Sequence, residues 1–391
     1  MAIFMLILGI ESSCDDMAAA VVKDGSIILS SVVSSQDAIH NKYGGIVPEL
    51  ASRRHLETVI PVVEETLNQA NVTLNDIDAI GVTQGPGLVG SILVGLSFAK
   101  AIAYVKDMPF VGVNHIVAHP MAVFLEKAKR KEDEKMRSLE DKKKISTSQP
   151  LSFLTSALPS FPFVALVVSG GHTTLFKFKD FVDYDILGQT RDDAAGEAFD
   201  KVAKLLGLGY PGGVVIDRLA KKGNASAIQF TRPYISKDTC DFSFSGIKTA
   251  VMRYIAECRM QNAEQKEVEK LGSYEAKKNP FSISQPLNFS TSVLNDLAAS
   301  FQEAVVDVLA DKAILACKAN DVNDLVVCGG VACNSRLREQ LHQKSRNNNI
   351  RLFLPDPSLC SDNAAMIAGT AYHLLKKGVR GELDMNAIPS M

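Results

Sequence analysis

The chain is predicted to be an α/β protein of two lobes, and three observations carry that prediction. Its 391 residues exceed the roughly 100–200 typical of one domain. Hydrophobic residues make up 46% and charged residues 22%, the balance of an ordinary globular protein able to build real cores. A run of three strands and a helix also occurs twice in the same order, which indicates an internal duplication.

The first copy opens with strand FMLILGI, a tight polar turn ESSCDD, and strands MAAAVVKDG and SIILSSVV. A helix-like stretch follows from Pro48 to Asn71, with an interruption expected at Pro61 because proline lacks the N–H that the helix ladder needs. Strand IDAIGVTQ, helix 90–106 and strand PFVGV complete this copy. The second copy runs through FVALVVSGG, HTTLFKFKD and FVDYDILGQ to helix DDAAGEAFDKVAKLLGL. It then continues with strand DLVVCGG, helix 334–346 and strand RLFLP.

From this order the first lobe is expected over residues 1–125, completed by a C-terminal helix 355–391, and the second over 163–354. Two lobes imply a shared cleft, a usual place for ligands. Residues 126–162 form a charged, Ser/Pro-rich insertion, and a second insertion lies near 259–289. The stretch 126–144 carries nine basic and six acidic residues. Its two readings are a solvated helix or loop and a contact with a polyanion such as RNA.

A net charge of −2 provides no global field for nucleic acid, so such binding would need a local basic patch. The seven cysteines are scattered and contain no C-x-x-C pair. That pattern argues against a disulfide framework and a Cys-rich zinc site, and favours a reducing compartment. The apolar N-terminal run has no basic segment before it and is read as a first strand, not a signal peptide. No segment is expected to reach the ~20 apolar residues of a membrane span.

His115 and His119, in VNHIVAHP, have metal-ligand spacing, because residues four apart share one helix face. The zinc-peptidase pattern H-E-x-x-H would put the general base beside the first histidine, but that position is Ile116. Asp362, in SDNAAMIAG, is either part of a helix cap with Ser361 or a third ligand in a His, His, carboxylate set with open positions.

Ser169, Gly170 and Gly171 lie at the turn between two strands, where glycines permit positive φ and let backbone N–H groups approach a phosphate. A simple hairpin is the other reading. CGGVACN, residues 328–334, opens a helix, and its free N–H groups at Gly329, Gly330 and Asn334 suit an anion. Asp15 and Asp16 are either turn caps or a carboxylate pair that holds a cation or accepts a proton. Asp200 and Asp217 flank YPGG, residues 210–213, and Asp217 either bonds a sugar hydroxyl or occupies an exposed helix face. No G-x-S-x-G elbow and no G-x-x-x-x-G-K-[ST] loop occurs.

Together the stretches GIESSCDD, GGIVPELASRRH, TQGPGLVGSILVG, NHIVAHP, LVVSGGHTTL, DDAAGEAFDKVAKLLGLGYPGG, FSFSGIKTA, GGVACNSRLR and CSDNAAMIAG cover nearly everything outside the two insertions. The chain therefore resembles the universal tRNA threonylcarbamoyladenosine transferase family in its bacterial form, TsaD, also known as the O-sialoglycoprotein endopeptidase or glycoprotease family. The resemblance implies two ribonuclease-H-like lobes of the actin, hexokinase and chaperone-ATPase type around a central nucleotide cleft. It implies metal ligands at His115, His119 and Asp362, with Fe2+ or Zn2+ as the ion. Val167, Val168, Ser169, Gly170, Gly171, Asp200, Gly213, Asp217 and Asn334 would contact threonylcarbamoyl-AMP.

The implied reaction moves a threonylcarbamoyl group from that adenylate to N6 of adenosine 37 in tRNAs reading ANN codons. A metal would make the carbonyl more electrophilic, the turn N–H groups would hold the phosphate, and Asp15 or Asp16 would take the amine proton. The partners implied are tRNA, a paralogous protein of the same fold (TsaB-like) and a small ATPase (TsaE-like), in the cytoplasm and without a membrane. Two departures stand out: Met17 replaces the family's usual small hydroxyl residue, and both insertions are longer than usual. The rival readings are a metallopeptidase and a non-enzymatic nucleotide-binding scaffold, and the latter has no use for the histidine pair.

Overall fold

The computed structural model describes residues 4–128, 158–232, 234–235, 239–269 and 289–390. The basic run after Ala128 and most of the second insertion lie outside the described residues. The chain divides into two compact units. One comprises residues 1–36, 48–160 and 362–391, and the other 37–47 and 161–361.

The first unit is built on β1 (Leu6–Glu11), β2 (Met17–Lys23), β3 (Ile27–Ser34), β4 (Ala79–Gly85), β5 (Phe110–Asn114) and the two-residue β6 (Glu126–Lys127). The sheet order is β5-β4-β1-β2-β3-β6. Strands β1, β2 and β3 are antiparallel, while β4 and β5 run parallel to β1. The second unit holds β7 (Phe163–Val168), β8 (Thr173–Phe178), β9 (Tyr184–Gln189), β10 (Asp324–Cys328) and β11 (Arg351–Phe353), ordered β11-β10-β7-β8-β9. Pairing senses match those of the first unit, so the duplication in sequence is also a duplication in topology.

Every residue of β1 and of β7 is buried, as expected for central strands covered on both faces. Helix α1 (Pro48–Ala70) turns Val59, Val62, Val63 and Leu67 into the first core. It does not break at Pro61. Pro61 and Glu57, whose carbonyl loses its partner, are both exposed, so water can take the lost hydrogen bond on the convex side.

Helix α2 (Val89–Lys106) is long and apolar enough to cross a membrane by length and composition, which corrects the expectation that no such segment exists. Its Leu96, Ala99 and Ala103 pack into the first core, while Val89, Leu93, Tyr104 and Val105 are exposed. The second unit also holds α4 (Ala195–Leu205), α5 (Gly212–Ala220), α6 (Ser245–Glu269), α7 (Thr291–Ala319) and α8 (Ser335–Asn347). The first of these begins three residues later than expected because Ala194 is extended.

The C-terminal helix α9 (Ala364–Lys376) belongs to the first unit. It lies so close to the sheet that a Cβ on Gly9 would collide with the Ala364 carbonyl, and one on Gly81 with Ala371. Its N-cap is Asn363, whose side chain accepts from Met366 N at 3.0 Å. The expected cap at Ser361 and Asp362 is therefore displaced, and the Asp362 carboxylate is left for other partners.

Candidate functional site

Strand β5 ends at Asn114, whose side-chain oxygen accepts from Ile116 N at 2.9 Å and Val117 N at 3.1 Å. That cap starts a single helical turn, α3 (His115–Ala118), which tightens into a 3-10 turn over His119–Phe124. The helix face expected for the histidine pair is thus built from two short pieces, with Pro120 in the first turn of the second. The two histidines keep their shared face, with ring centroids 4.8 Å apart.

The approach of α9 to the sheet brings Asp362 to the same place. Its Oδ1 lies 3.5 Å from His115 Nε2 and 3.4 Å from His119 Nε2. One donor atom from each of the three residues falls within 4.8 Å of the others. An ion held tetrahedrally at ~2.0–2.1 Å keeps neighbouring donors about 3.3 Å apart, so both carboxylate–imidazole spacings fit. His119 is fully buried, and neither ring nitrogen makes a hydrogen bond among the described residues. Burial of an unsatisfied imidazole is costly unless a ligand takes its lone pair. Asp362 is 27% exposed, so the cluster has an open side.

Two carboxylates, Glu11 and Asp362, face His115. Burial pushes the Asp362 carboxyl up, but the His115 and His119 imidazoles outweigh it and hold the carboxyl well below the usual range. Burial lowers the basicity of His115, while the Glu11 and Asp362 carboxylates raise it further and win. Glu11, the last residue of β1, is fully buried. Its Oε2 lies 2.9 Å from His115 Nδ1 and accepts from Thr83 Oγ1 at 2.6 Å, while Oε1 accepts from Ser13 N at 2.6 Å. Sequence reasoning missed Glu11. The available signal was the single charge closing the otherwise apolar strand LILGIE.

Asp15 and Asp16 sit in the turn between β1 and β2 and are partly buried. That turn is braced by His55, whose Nε2–H donates to the Cys14 carbonyl at 3.0 Å while Nδ1 accepts from the Gln36 amide at 3.1 Å.

In the second unit Val167 and Val168 are buried in β7, paired with Thr174 and Thr173. The following turn is closed by Ser169 N donating to the His172 carbonyl at 2.8 Å, with Ser169 Oγ accepting from His172 N at 3.2 Å. Gly170 and Gly171 are exposed, and a Cβ on either would meet nothing within 4 Å. Neither has positive φ, so their contribution is open space around two N–H groups instead of an unusual backbone. The start of α4 supports the turn from behind. Gly196 N donates to Ser169 O at 3.3 Å and Ala195 N to Thr173 Oγ1 at 2.9 Å.

The other candidates in this unit have internal partners. Asp200 accepts from Gly212 N at 2.7 Å. Burial pushes its carboxyl up, against the lowering effect of the Gly212 and Gly213 N–H groups. Asp217 accepts from Ser335 Oγ at 2.7 Å and pairs with Lys221 at 3.0 Å. Asn334 caps α8 through Leu337 N at 3.0 Å and donates to Gln302 Oε1 at 2.7 Å. Gly329, at φ 92°, lets this segment pass against the Val168 carbonyl, where a Cβ would collide.

The profile of the TsaD family, tRNA N6-adenosine threonylcarbamoyltransferase, matches residues 27–133 and 150–369. The chain belongs to this family. It is 48% identical over 384 residues to the tRNA N6-adenosine threonylcarbamoyltransferase of Syntrophus aciditrophicus, covering 98% of this chain and 96% of that one. Identity to the protein of the same name from Clostridium perfringens is 46% over 386 residues, covering 99% and 97%. Among solved structures, full-length HypF in its phosphate- and nucleotide-bound form aligns with 97% of this chain and 47% of its own, at TM-score 0.53 and 14% identity. That likeness speaks to fold alone. The protein is accordingly an α/β protein of two ribonuclease-H-like units, of the actin, hexokinase and chaperone-ATPase type.

Proposed function

We propose that this transferase moves the threonylcarbamoyl group of threonylcarbamoyl-AMP to N6 of adenosine 37 in tRNAs reading ANN codons, giving t6A. Family membership supports the reaction. The observation that carries the mechanism is the convergence of His115, His119 and Asp362. These residues would hold one divalent ion, Fe2+ or Zn2+, since two imidazoles and a carboxylate suit either. Bound there, the ion supplies Lewis acidity toward the mixed anhydride.

The remaining roles fall to the chain itself. N–H groups of Gly170 and Gly171 bind the adenylate phosphate and stabilise departing AMP. Asp200, Gly213, Asp217 and Asn334 are the proposed contacts of the adenylate, with Asp200 held by Gly212, Asp217 by Ser335, and Asn334 by its cap of α8. Val167 and Val168, buried in the strand that leads into the turn, are proposed to contact the adenylate as well. An exocyclic adenine amine is a poor nucleophile and loses a proton on acylation; Asp15 or Asp16 is the group proposed to accept it. The protein works with tRNA in the cytoplasm, alongside a paralogous partner of the same fold and a small ATPase.

The metallopeptidase reading lacks a glutamate at Ile116 and is not favoured by relatives named as transferases. The test is single-turnover transfer from labelled threonylcarbamoyl-AMP to unmodified ANN-decoding tRNA, with the partners present, for wild type, His115→Ala and Asp362→Ala. Label on adenosine 37 with wild type and none with either variant is the expected result. A folded, metal-loaded wild type that transfers nothing would sink the reading.

A further inference from the structure

We propose that Glu11 is a positioning residue of the metal centre, fixing His115 in the tautomer that is protonated at Nδ1 and presents Nε2 to the ion. The inference rests on the reading of His115, His119 and Asp362 as ligands.

A carboxylate buried at the end of an apolar strand persists only where its lone pairs are taken up. Glu11 is 0% exposed, and its contacts divide between its two oxygens. Oε1 accepts from Ser13 N, a contact sufficient to brace the turn after β1. Oε2 accepts from Thr83 Oγ1 at 2.6 Å and faces His115 Nδ1 at 2.9 Å. Bracing the turn does not require that second set. An imidazole donating through Nδ1 keeps its lone pair on Nε2, the atom that faces Asp362. A carboxylate on the far nitrogen of a metal-bound histidine orients the ring and raises its basicity toward the metal. Thr83 holds the carboxylate in turn, from the neighbouring strand β4.

His119 has no such support: neither of its nitrogens is hydrogen-bonded among the described residues. The two residues are therefore unequal: His115 is oriented from behind by Glu11 before any ion arrives, whereas His119 has Asp362 at 3.4 Å from Nε2 and no carboxylate behind its Nδ1.

The experiment measures Co2+ and Zn2+ affinity of the full chain by competition with a chromogenic chelator, together with the visible absorption of the Co2+ form. Circular dichroism first establishes that each variant folds. Glu11→Gln keeps the size of the side chain but replaces one acceptor oxygen with a donor. Its dissociation constant is expected to rise about 10–100-fold, with a shifted Co2+ band. Thr83→Val leaves Glu11 and His115 in place and is expected to weaken binding about two- to tenfold.

A folded Glu11→Gln with wild-type affinity and spectrum overturns the inference. If Glu11→Gln does not fold, Thr83→Val decides, and unchanged affinity there overturns it equally. Wild type that binds no Co2+, or binding untouched by His119→Ala, removes the metal reading itself and this inference with it. Wild type that binds while Glu11→Gln binds as well removes this inference only.

Discussion

The turn after the first strand occupies the same place in both sheets, yet the two turns offer opposite chemistry. Between β1 and β2 it carries Asp15 and Asp16, follows the buried Glu11, and is tied down by His55. Between β7 and β8 it carries Ser169, Gly170 and Gly171, with two open N–H groups and a helix start behind them. The first suits a cation or a proton, and the second an anion. A shared topology decides where a turn points, while a few residues decide what it can bind.

The largest predicted effect strikes the first unit alone. Gly9→Val would drive a side chain into the Ala364 carbonyl and push α9 off the sheet. A loss of about 3 kcal/mol or more is expected by urea unfolding, along with loss of metal, because Asp362 travels with α9. Retention of one ion per chain would show that the carboxylate is not placed by this packing.

Next in size, His119→Ala removes a proposed ligand whose one polar neighbour is Asp362, at 3.4 Å. Metal content should fall close to zero and transfer by about 10³-fold, while the fold persists. Metal analysis with single-turnover assay checks both.

A smaller contrast separates support from ligand contact in the second unit. Gly196→Ala places a Cβ against the Ser169 carbonyl and should cost about 1–3 kcal/mol. Gly171→Ala meets open space and should change stability by less than about 0.5 kcal/mol. It should nevertheless weaken binding of a non-hydrolysable adenylate about tenfold, which calorimetry can read. Equal affinity in Gly171→Ala and wild type would remove the turn from the binding site.

The smallest effect concerns Cys333, beside Asn334. A hydrogen bond from Cys360 and the Arg338 guanidinium bring its thiol down to about 6, against burial, which pushes it up. The thiolate forms as pH rises through that value. Alkylation of Cys333 by iodoacetamide should therefore increase with a midpoint near pH 6 instead of about 8.5. Cys333→Ser should abolish that component.

Much of the fold was legible because central strands buried on both faces read as unbroken apolar runs, as in FVALVV. The histidine pair was legible because four residues make one helical turn, and Asn114 supplies the cap that turn needs. Pro61 misled because a proline on the solvent side of α1 costs less than one facing the core. Ser361 misled because three capping residue types stand in a row, and only backbone geometry selects Asn363. Asp217 pairs with Lys221 four residues on, which the sequence shows, but the bonds of Asp200 to Gly212 and of Asp217 to Ser335 join separate segments and no local pattern reveals them.

From its own periodicities the sequence determined the duplication, the identity of the central strands, and the one-turn spacing of His115 and His119, since these depend on residues close in the chain. Only the tertiary structure decided that Asp362 joins them and that Glu11 stands behind His115. The physical reason lies in Gly9 and Gly81: with no Cβ at these two positions, α9 can settle onto the first sheet and bring a carboxylate from the far end of the chain to the buried imidazoles.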